Sequence, residues 1–277
     1  MRVLEPAQSD PEALYERIVN GHYDRPFIID DGETRQLLFS LDFIQSAMRI
    51  DDPFALEFAY TRKMMAFVLF VSSPRHVLMV GLGGGSLAKF CHRHLPRARL
   101  TVVEIDPDVI ALRESFGVPD DKRLAIVQAD AAEYLPAAEG DTDVLLLDGF
   151  DSKGIAPAFL SRGFYRAARN RLRPGGMAVA NFAGPRKYWN RHLALLNEAF
   201  EGRVQVGTVP GGDNHIAFAF VDAGFPLDWQ VLEKRAGRLA GRFPLDFSAI
   251  MDSLREGAEL RWAKAATAKA SPLQKPR

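Results

Sequence analysis

The chain has 277 residues, 35 Lys and Arg against 35 Asp and Glu, and 47% apolar residues. That suits one large domain, or a domain with a small appendage, able to bury a core without staples. A formal charge of zero argues against a nucleic-acid partner held by bulk electrostatics, yet leaves room for a small cationic ligand met by a few local carboxylates. The single cysteine, Cys91, excludes a disulfide framework and a cysteine-based zinc site, and a core position is expected for it. Residues 1–10 carry no apolar leader pattern, and the longest apolar stretch, residues 64–71, is about a third of a membrane span. A soluble cytoplasmic protein without a membrane or nucleic-acid partner is expected.

PFIID (26–30) and RQLLF (35–39) are short apolar runs separated by Asp31-Gly32, a hairpin signal, and a further strand or turn is expected over 42–48. Residues 1–52 therefore read as a β-rich appendage. After Pro53, Leu56, Ala59, Tyr60, Met64, Phe67 and Val68 recur at helical spacing and lead into the core. From His76 the pattern alternates. Apolar strands are expected at 76–81, 100–106, 124–130, 143–150 and 176–182, with helices near 86–95, 107–116, 161–172 and 187–200. Apolar strands with helical crossovers imply a parallel sheet covered on both faces. RVQVGTVP (203–210) and HIAFAFVD (215–222) bracket Gly211-Gly212-Asp213-Asn214 as a final antiparallel hairpin. The expected fold class is α/β, a Rossmann-like domain over 53–262. Its sheet is mostly parallel, seven-stranded, and ends in the hairpin, as in folds that bind S-adenosylmethionine-type ligands. Helices near 228–241 and 248–262 close it. Residues 263–277, with Lys264, Lys269, Lys275 and Arg277 and no apolar face, read as a disordered basic tail.

The chemistry starts at Gly81-Leu82-Gly83-Gly84-Gly85-Ser86, which follows the first core strand and opens a helix. Glycines let the backbone approach a ligand, and the helix start offers free N–H groups; the pattern suits NAD as well. Glu104 ends the second strand, where a carboxylate can accept from both ribose hydroxyls of a nucleoside, again for either ligand. Asp106 before Pro107 reads as a helix cap. Asp130 ends the third strand, where adenosylmethionine-type sites place an acid against the adenine amino group; a helix cap is the other reading. Asp148 and Asp151 follow the wholly apolar fourth strand. Two carboxylates on one loop at the carboxyl end of a sheet could draw in an ammonium group and take its proton. His92 and His94 read as a solvated helix face, and His215 as a residue starting a strand. Tyr188, Trp189 and Arg191 read as part of a helix packed on the sheet. No Ser-His-Asp arrangement, Walker-type GK[ST] or metal-ligand spacing is visible.

The runs HVLMVGLGGGSLAKF, VVEIDPDVI, QADAAEYL, LLLDGFD and LRPGGMAVANF, in this order, resemble the spermidine/spermine synthases, the polyamine aminopropyltransferases. Upstream, LDFIQ (41–45) and EFAY (57–60) resemble the family's segments ending in a substrate-contacting Gln and Tyr, here Gln45 and Tyr60. The resemblance spans about residues 25–222. It implies cofactor binding by Gly81, Gly83, Gly84, Gly85, Glu104 and Asp130. It implies a central carboxylate at Asp148, and a neighbour at Asp151 that helps hold the amine and the cofactor chain. The implied reaction moves an aminopropyl group from decarboxylated S-adenosylmethionine to an amine such as putrescine, with release of 5′-methylthioadenosine and no metal. It also suggests an oligomer, a homodimer or a tetramer.

The chain departs from the family pattern in three places. The glycine loop lacks its usual Asp. Thr61-Arg62 replaces a His-Glu pair, and Val209-Pro210-Gly211-Gly212 replaces a tyrosine segment. Arg62 is expected to set a cation near the amine; like charges about 6 Å apart cost on the order of 1 kcal/mol at an effective dielectric near 40. A loop without its Asp no longer repels the carboxylate of intact S-adenosylmethionine. A methyltransferase using that cofactor, or a nucleoside-binding homologue without catalysis, is therefore the alternative.

Overall fold

The computed structural model describes residues 2–4, 11–41, 43–151, 154–155, 157–184, 186–211, 214–222 and 225–269. Asp42, Gly212, Asp213 and the last eight residues, named above, lie outside the described residues.

Strand β1 (Arg2–Leu4) and helix α1 (Pro11–Val19) precede three antiparallel strands, β2 (Phe27–Asp30), β3 (Thr34–Ser40) and β4 (Phe43–Arg49). They form a four-stranded sheet in the order β1-β2-β3-β4. The Asp31 carboxylate closes the β2–β3 turn by accepting from the backbone N–H groups of Glu33 and Thr34, at 2.9 and 2.6 Å. Helix α1 was not expected from the sequence. Its Leu14 and Ile18 join Val3, Phe27 and Leu38 in a small cluster of their own. On the other side Ile28, Leu37 and Met48 belong to the main core, so the appendage shares one apolar layer with the domain it precedes.

Helix α2 (Ala59–Met64) runs into a 3₁₀ turn (Met65–Leu69) and delivers the chain to β5 (His76–Val80). There follow α3 (Ser86–His94), β6 (Arg99–Glu104), α4 (Pro107–Ala111), β7 (Leu124–Gln128), α5 (Ala131–Tyr134), β8 (Thr142–Leu147), the two-residue strands β9 (Phe150–Asp151) and β10 (Gly154–Ile155), α6 (Arg162–Arg171), β11 (Leu172–Phe182), α7 (Arg186–Ala199), β12 (Val204–Thr208), β13 (His215–Phe220), α8 (Trp229–Leu239) and α9 (Phe247–Lys269). The seven-stranded sheet has the order β12-β13-β11-β8-β5-β6-β7. Pairing is parallel from β11 to β7 and antiparallel at β13 and β12. The continuous apolar runs are explained by position: every residue of β5 is buried, because helices cover both faces. One layer is packed by α2, α3, α8 and α9, the other by α6 and α7.

Several boundaries differ from expectation: the strand expected over 143–150 ends at Leu147, and the one expected over 176–182 starts at Leu172. The helix predicted over 107–116 is α-helical only to Ala111 and tightens to 3₁₀ over Leu112–Phe116, ending at Gly117 with φ 61°. Helix α9 continues to Lys269. Its Ala- and Lys-rich end has high helix propensity even without an apolar stripe. Among the described residues no helix is long and apolar enough to cross a membrane.

The strand order reverses beside β5: β6 and β7 lie on one side, β8 and β11 on the other. Crevices form at such switch points, outside the carboxyl ends of the strands. The glycine loop after β5 and Asp148 after β8 end side by side there, with the Asp148 N–H donating to the Val80 carbonyl at 3.0 Å.

Candidate active site

A cavity of about 530 Å³ opens at this switch point, walled on one side by the strand ends and on the other by the N-terminal sheet. Of the residues predicted for the site, Gln45, Tyr60, Gly81, Gly83, Glu104, Asp130 and Asp148 line it. Gln45 comes from β4 and Tyr60 from the first turn of α2, so the N-terminal segment completes the site built by the sheet.

Gly81 adopts φ +93°, and a side chain there would collide with the backbone carbonyl of Asp148. The two loops therefore meet at backbone contact, which only glycine permits. Gly84 and Gly85, also expected at the ligand, do not line the cavity. They are buried under the loop, Gly84 against Ser46 and Phe116, Gly85 against Val118. They let α3 and the N-terminal sheet close up beneath the cavity floor.

Glu104 is buried, and both carboxyl oxygens are held by backbone: Oε2 accepts from Leu82 N–H at 2.8 Å and Oε1 from Asp106 N–H at 2.9 Å. Burial pushes its pKa up while those N–H groups pull it back. The Ile105 N–H also bonds this carboxylate, so three backbone donors meet about four lone-pair sites and leave room for a ribose hydroxyl. Asp106 caps α4 through the Asp108 N–H at 2.8 Å, with Pro107 in the first turn. Asp130 is the helix cap of one reading, its Oδ1 accepting from the Ala132 N–H at 2.8 Å at the start of α5, and it also lies on the cavity wall. Ile105, 64% exposed, sits on the cavity wall between Glu104 and Asp106 and offers an apolar platform to a flat ring.

Asp148 occupies the chemical centre. Its Oδ1 accepts from Asn181 Nδ2 at 2.8 Å, and the Tyr60 hydroxyl donates to the same carboxylate. Burial raises the carboxyl to about 6, with the hydrogen bonds from Asn181 and Tyr60 opposing the rise. The residue keeps partial exposure because it faces the cavity. Tyr60 is itself pushed well above the usual phenol range by burial and then by the Asp148 charge, so its proton stays on and it acts as a donor. A carboxyl near 6 is ionised at neutral pH yet basic enough to take a proton. Asp151 has its backbone in β9, paired with β10; its side chain lies outside what the structure describes.

Arg62 corrects an expectation. It is exposed, and its guanidinium folds back onto the carbonyls of Leu56 and Glu57. It does not line the cavity, because α2 turns residue 62 away from the face that carries Tyr60. Cys91 and His215 behave as read, whereas His92 and His94 are half-buried instead of solvated, with His94 packed against Phe90 and Phe243. Cys91 is fully buried, with its thiol pushed up by burial. His92 meets Asp121 at 2.7 Å. His215 starts β13 and stacks on Trp189 at 4.2 Å.

Sequence reasoning missed three residues. Asn181 is a buried polar residue inside the apolar run of β11, and that interruption was the available signal. Asn214 donates to the Asn181 Oδ1 at 2.9 Å, a contact across 33 residues that no periodicity announces. Asp24 lines the cavity just ahead of β2. Its neighbour Arg25 is pinned to Asp108 on α4, with Nε 2.6 Å from Oδ2. The described lining thus holds five carboxylates, Asp24, Glu104, Asp106, Asp130 and Asp148, and no Lys, Arg or His.

Residues 57–195 match the family model described as the spermine/spermidine synthase domain. The chain is 38% identical over 232 residues to a polyamine aminopropyltransferase of Chromobacterium violaceum, covering 83% of this chain and 88% of that one. Among solved structures, a spermidine synthase in complex with the transition-state analogue AdoDATO superposes with a TM-score of 0.68 at 20% identity, over 91% of this chain and 85% of that one. Human methyltransferase-like protein 13 in complex with SAH superposes with a TM-score of 0.59 at 25% identity, over 72% of this chain and 93% of that one.

Proposed function

The chain belongs to the spermine/spermidine synthase family, and from that membership we propose that it transfers an aminopropyl group from decarboxylated S-adenosylmethionine to a small-molecule amine such as putrescine, releasing 5′-methylthioadenosine. The observation that carries the choice of cofactor is the charge of the cavity: five carboxylates and no cationic side chain among the described lining residues. A sulfonium and two amines are attracted to such a lining. The α-carboxylate of intact S-adenosylmethionine would enter it without a countercharge. Arg62, folded away from the cavity, leaves this balance intact.

The mechanism follows from the residues present. Glu104 and Asp130 have the placement to hold ribose and adenine, with Ile105 beneath the ring. That sets the sulfonium toward Tyr60 and Asp148. The acceptor arrives as an ammonium and is drawn to the Asp148 carboxylate, which takes its proton. The freed nitrogen lone pair attacks the methylene carbon beside sulfur. The N–C bond forms as the C–S bond breaks, and the electron pair returns to sulfur as a neutral thioether. Tyr60 and Asn181 keep the carboxylate aimed. Most of the rate gain expected here comes from holding two cations in line, which solution chemistry resists.

The test is incubation with decarboxylated S-adenosylmethionine and a panel of diamines and polyamines, reading methylthioadenosine by chromatography. Amine-dependent release is expected; its absence with every amine refutes the activity. The homodimer is proposed on separate grounds. Phe43 and Ile44, 69% and 45% exposed, lie on β4 at the open edge of the N-terminal sheet, where a second copy would cover them. A monomer mass by light scattering at micromolar concentration would remove that part.

A further inference from the structure

We propose that Asn181 is a positioning residue for Asp148, and that Asn214, reaching in from the final hairpin, sets the sense of its amide. Asn181 lies near the end of β11, buried to 4%, in a run that is otherwise apolar where it is buried. A buried side-chain amide needs partners for both ends. It has them: Nδ2 donates to Asp148 Oδ1 at 2.8 Å, and Oδ1 accepts from Asn214 Nδ2 at 2.9 Å.

The order of the chain is chemically forced. An ionised carboxylate only accepts, so the amide must turn its NH₂ toward Asp148. Its oxygen then faces Asn214, which must donate. Reverse the donor at 214 and the amide is drawn the other way, setting a carbonyl oxygen against the carboxylate. Asn214 therefore acts on Asp148 at one remove, and the last hairpin is tied to the reacting group. Tyr60, on α2, donates to the same carboxylate. Tyr60 and Asn181 together hold the Asp148 carboxylate from two separate elements.

Other titratable groups around Asp148 are accounted for. Asp24 precedes β2, Glu104 ends β6, Asp106 follows it, and Asp130 follows β7, all on the cavity wall. His215 starts β13 directly after Asn214, opposite Phe182 in the register. Asn181 is bonded to Asp148 on one side and to Asn214 on the other, so a change at residue 214 reaches the carboxylate through the amide.

The experiment is the titration of ¹³C-carboxyl-labelled aspartate by NMR on the full chain, with the Asp148 resonance assigned through Asp148→Asn. Asn181→Leu should move the Asp148 midpoint upward by about one pH unit, since a donor to the charged form is lost. Asn214→Asp should also move it upward. In the double variant Asn181→Leu with Asn214→Asp, the effect of the second change should shrink well below its value alone, the mark of coupling through the amide. Strictly additive shifts, or an unmoved midpoint in the folded Asn214→Asp protein, overturn the proposal. Residue 214 sits at the hairpin end, half-buried, so that variant keeps the test open should Asn181→Leu fail to fold.

The kinetic arm rests on the aminopropyl-transfer reading. Both single variants should lower kcat about tenfold or more through a misaimed base, with the acceptor KM within about twofold, and should shift the acid limb of the pH profile with the NMR midpoint. An unshifted acid limb beside a shifted midpoint would remove the catalytic meaning. Absence of turnover in the unaltered chain would sink the activity while leaving the titration to decide the relay.

Discussion

Replacing Asp148 with Asn should make the protein more stable and far less active. The carboxyl stands at about 6 in the folded chain against 3.8 in its ordinary state. At about 1.36 kcal/mol per tenfold in acid dissociation, keeping it ionised at pH 7.5 costs the fold on the order of 2–3 kcal/mol. The sign follows from the direction of the shift. Below about pH 3 both folded and unfolded forms carry the proton, and the group costs nothing. As pH rises from 4 through 6, the unfolded chain releases its proton first and stability falls. An amide at the same place still accepts from Asn181 and can donate to Tyr60, so the local hydrogen bonds survive. Denaturant melts of both proteins should therefore coincide near pH 3 and diverge by about 2–3 kcal/mol in favour of the variant at pH 7.5. The rate of methylthioadenosine release should drop about a hundredfold to ten-thousandfold, the range for loss of a positioned base. A variant less stable than the parent at pH 7.5, or a stability difference that does not vary with pH, would refute the reasoning that burial raises this carboxyl.

Three further outcomes follow from the same geometry. Activity of the unaltered chain should fall below about pH 6 as Asp148 takes up its proton, and Tyr60→Phe, by removing a donor to the charged form, should move that limb upward and lower kcat about tenfold or more in a pH-rate series. Arg62→Ala should leave kcat and KM within about twofold, because this exposed side chain binds only backbone outside the cavity; a large change in acceptor KM would return Arg62 to the site. Gly85→Ala should lower stability by about 1–3 kcal/mol in a denaturant melt, since φ +70° is strained for alanine and its methyl would press on Val118.

The sheet was legible because its strands are buried on both faces and read as unbroken apolar runs, as in HVLMV of β5. Their spacing with helices gave the parallel order and the hairpin. Glu104, Asp130 and Asp148 were legible for a related reason: each is an acid at the point where an apolar run stops, and the carboxyl ends of the strands converge. What stayed hidden depends on distant pairing. Asn214 meets Asn181 across 33 residues, and Asp24 reaches the cavity because Arg25 grips Asp108, 83 residues on. Arg62 was misread because proximity in sequence to Tyr60 says nothing of which face a six-residue helix presents. The glycines were read as one ligand-facing set, whereas the register of β4 against α3 makes Gly84 a packing position under Ser46.

The central claim is that this cavity is built for cations, with the decarboxylated cofactor as its ligand. Isothermal titration of the full chain with decarboxylated and with intact S-adenosylmethionine, side by side at pH 7.5, tests it most directly. The account predicts at least about tenfold tighter binding of the decarboxylated form, roughly 1.4 kcal/mol, with the preference weakening in high salt as the carboxylates are screened. Equal affinity, or a preference for the intact cofactor, would contradict it.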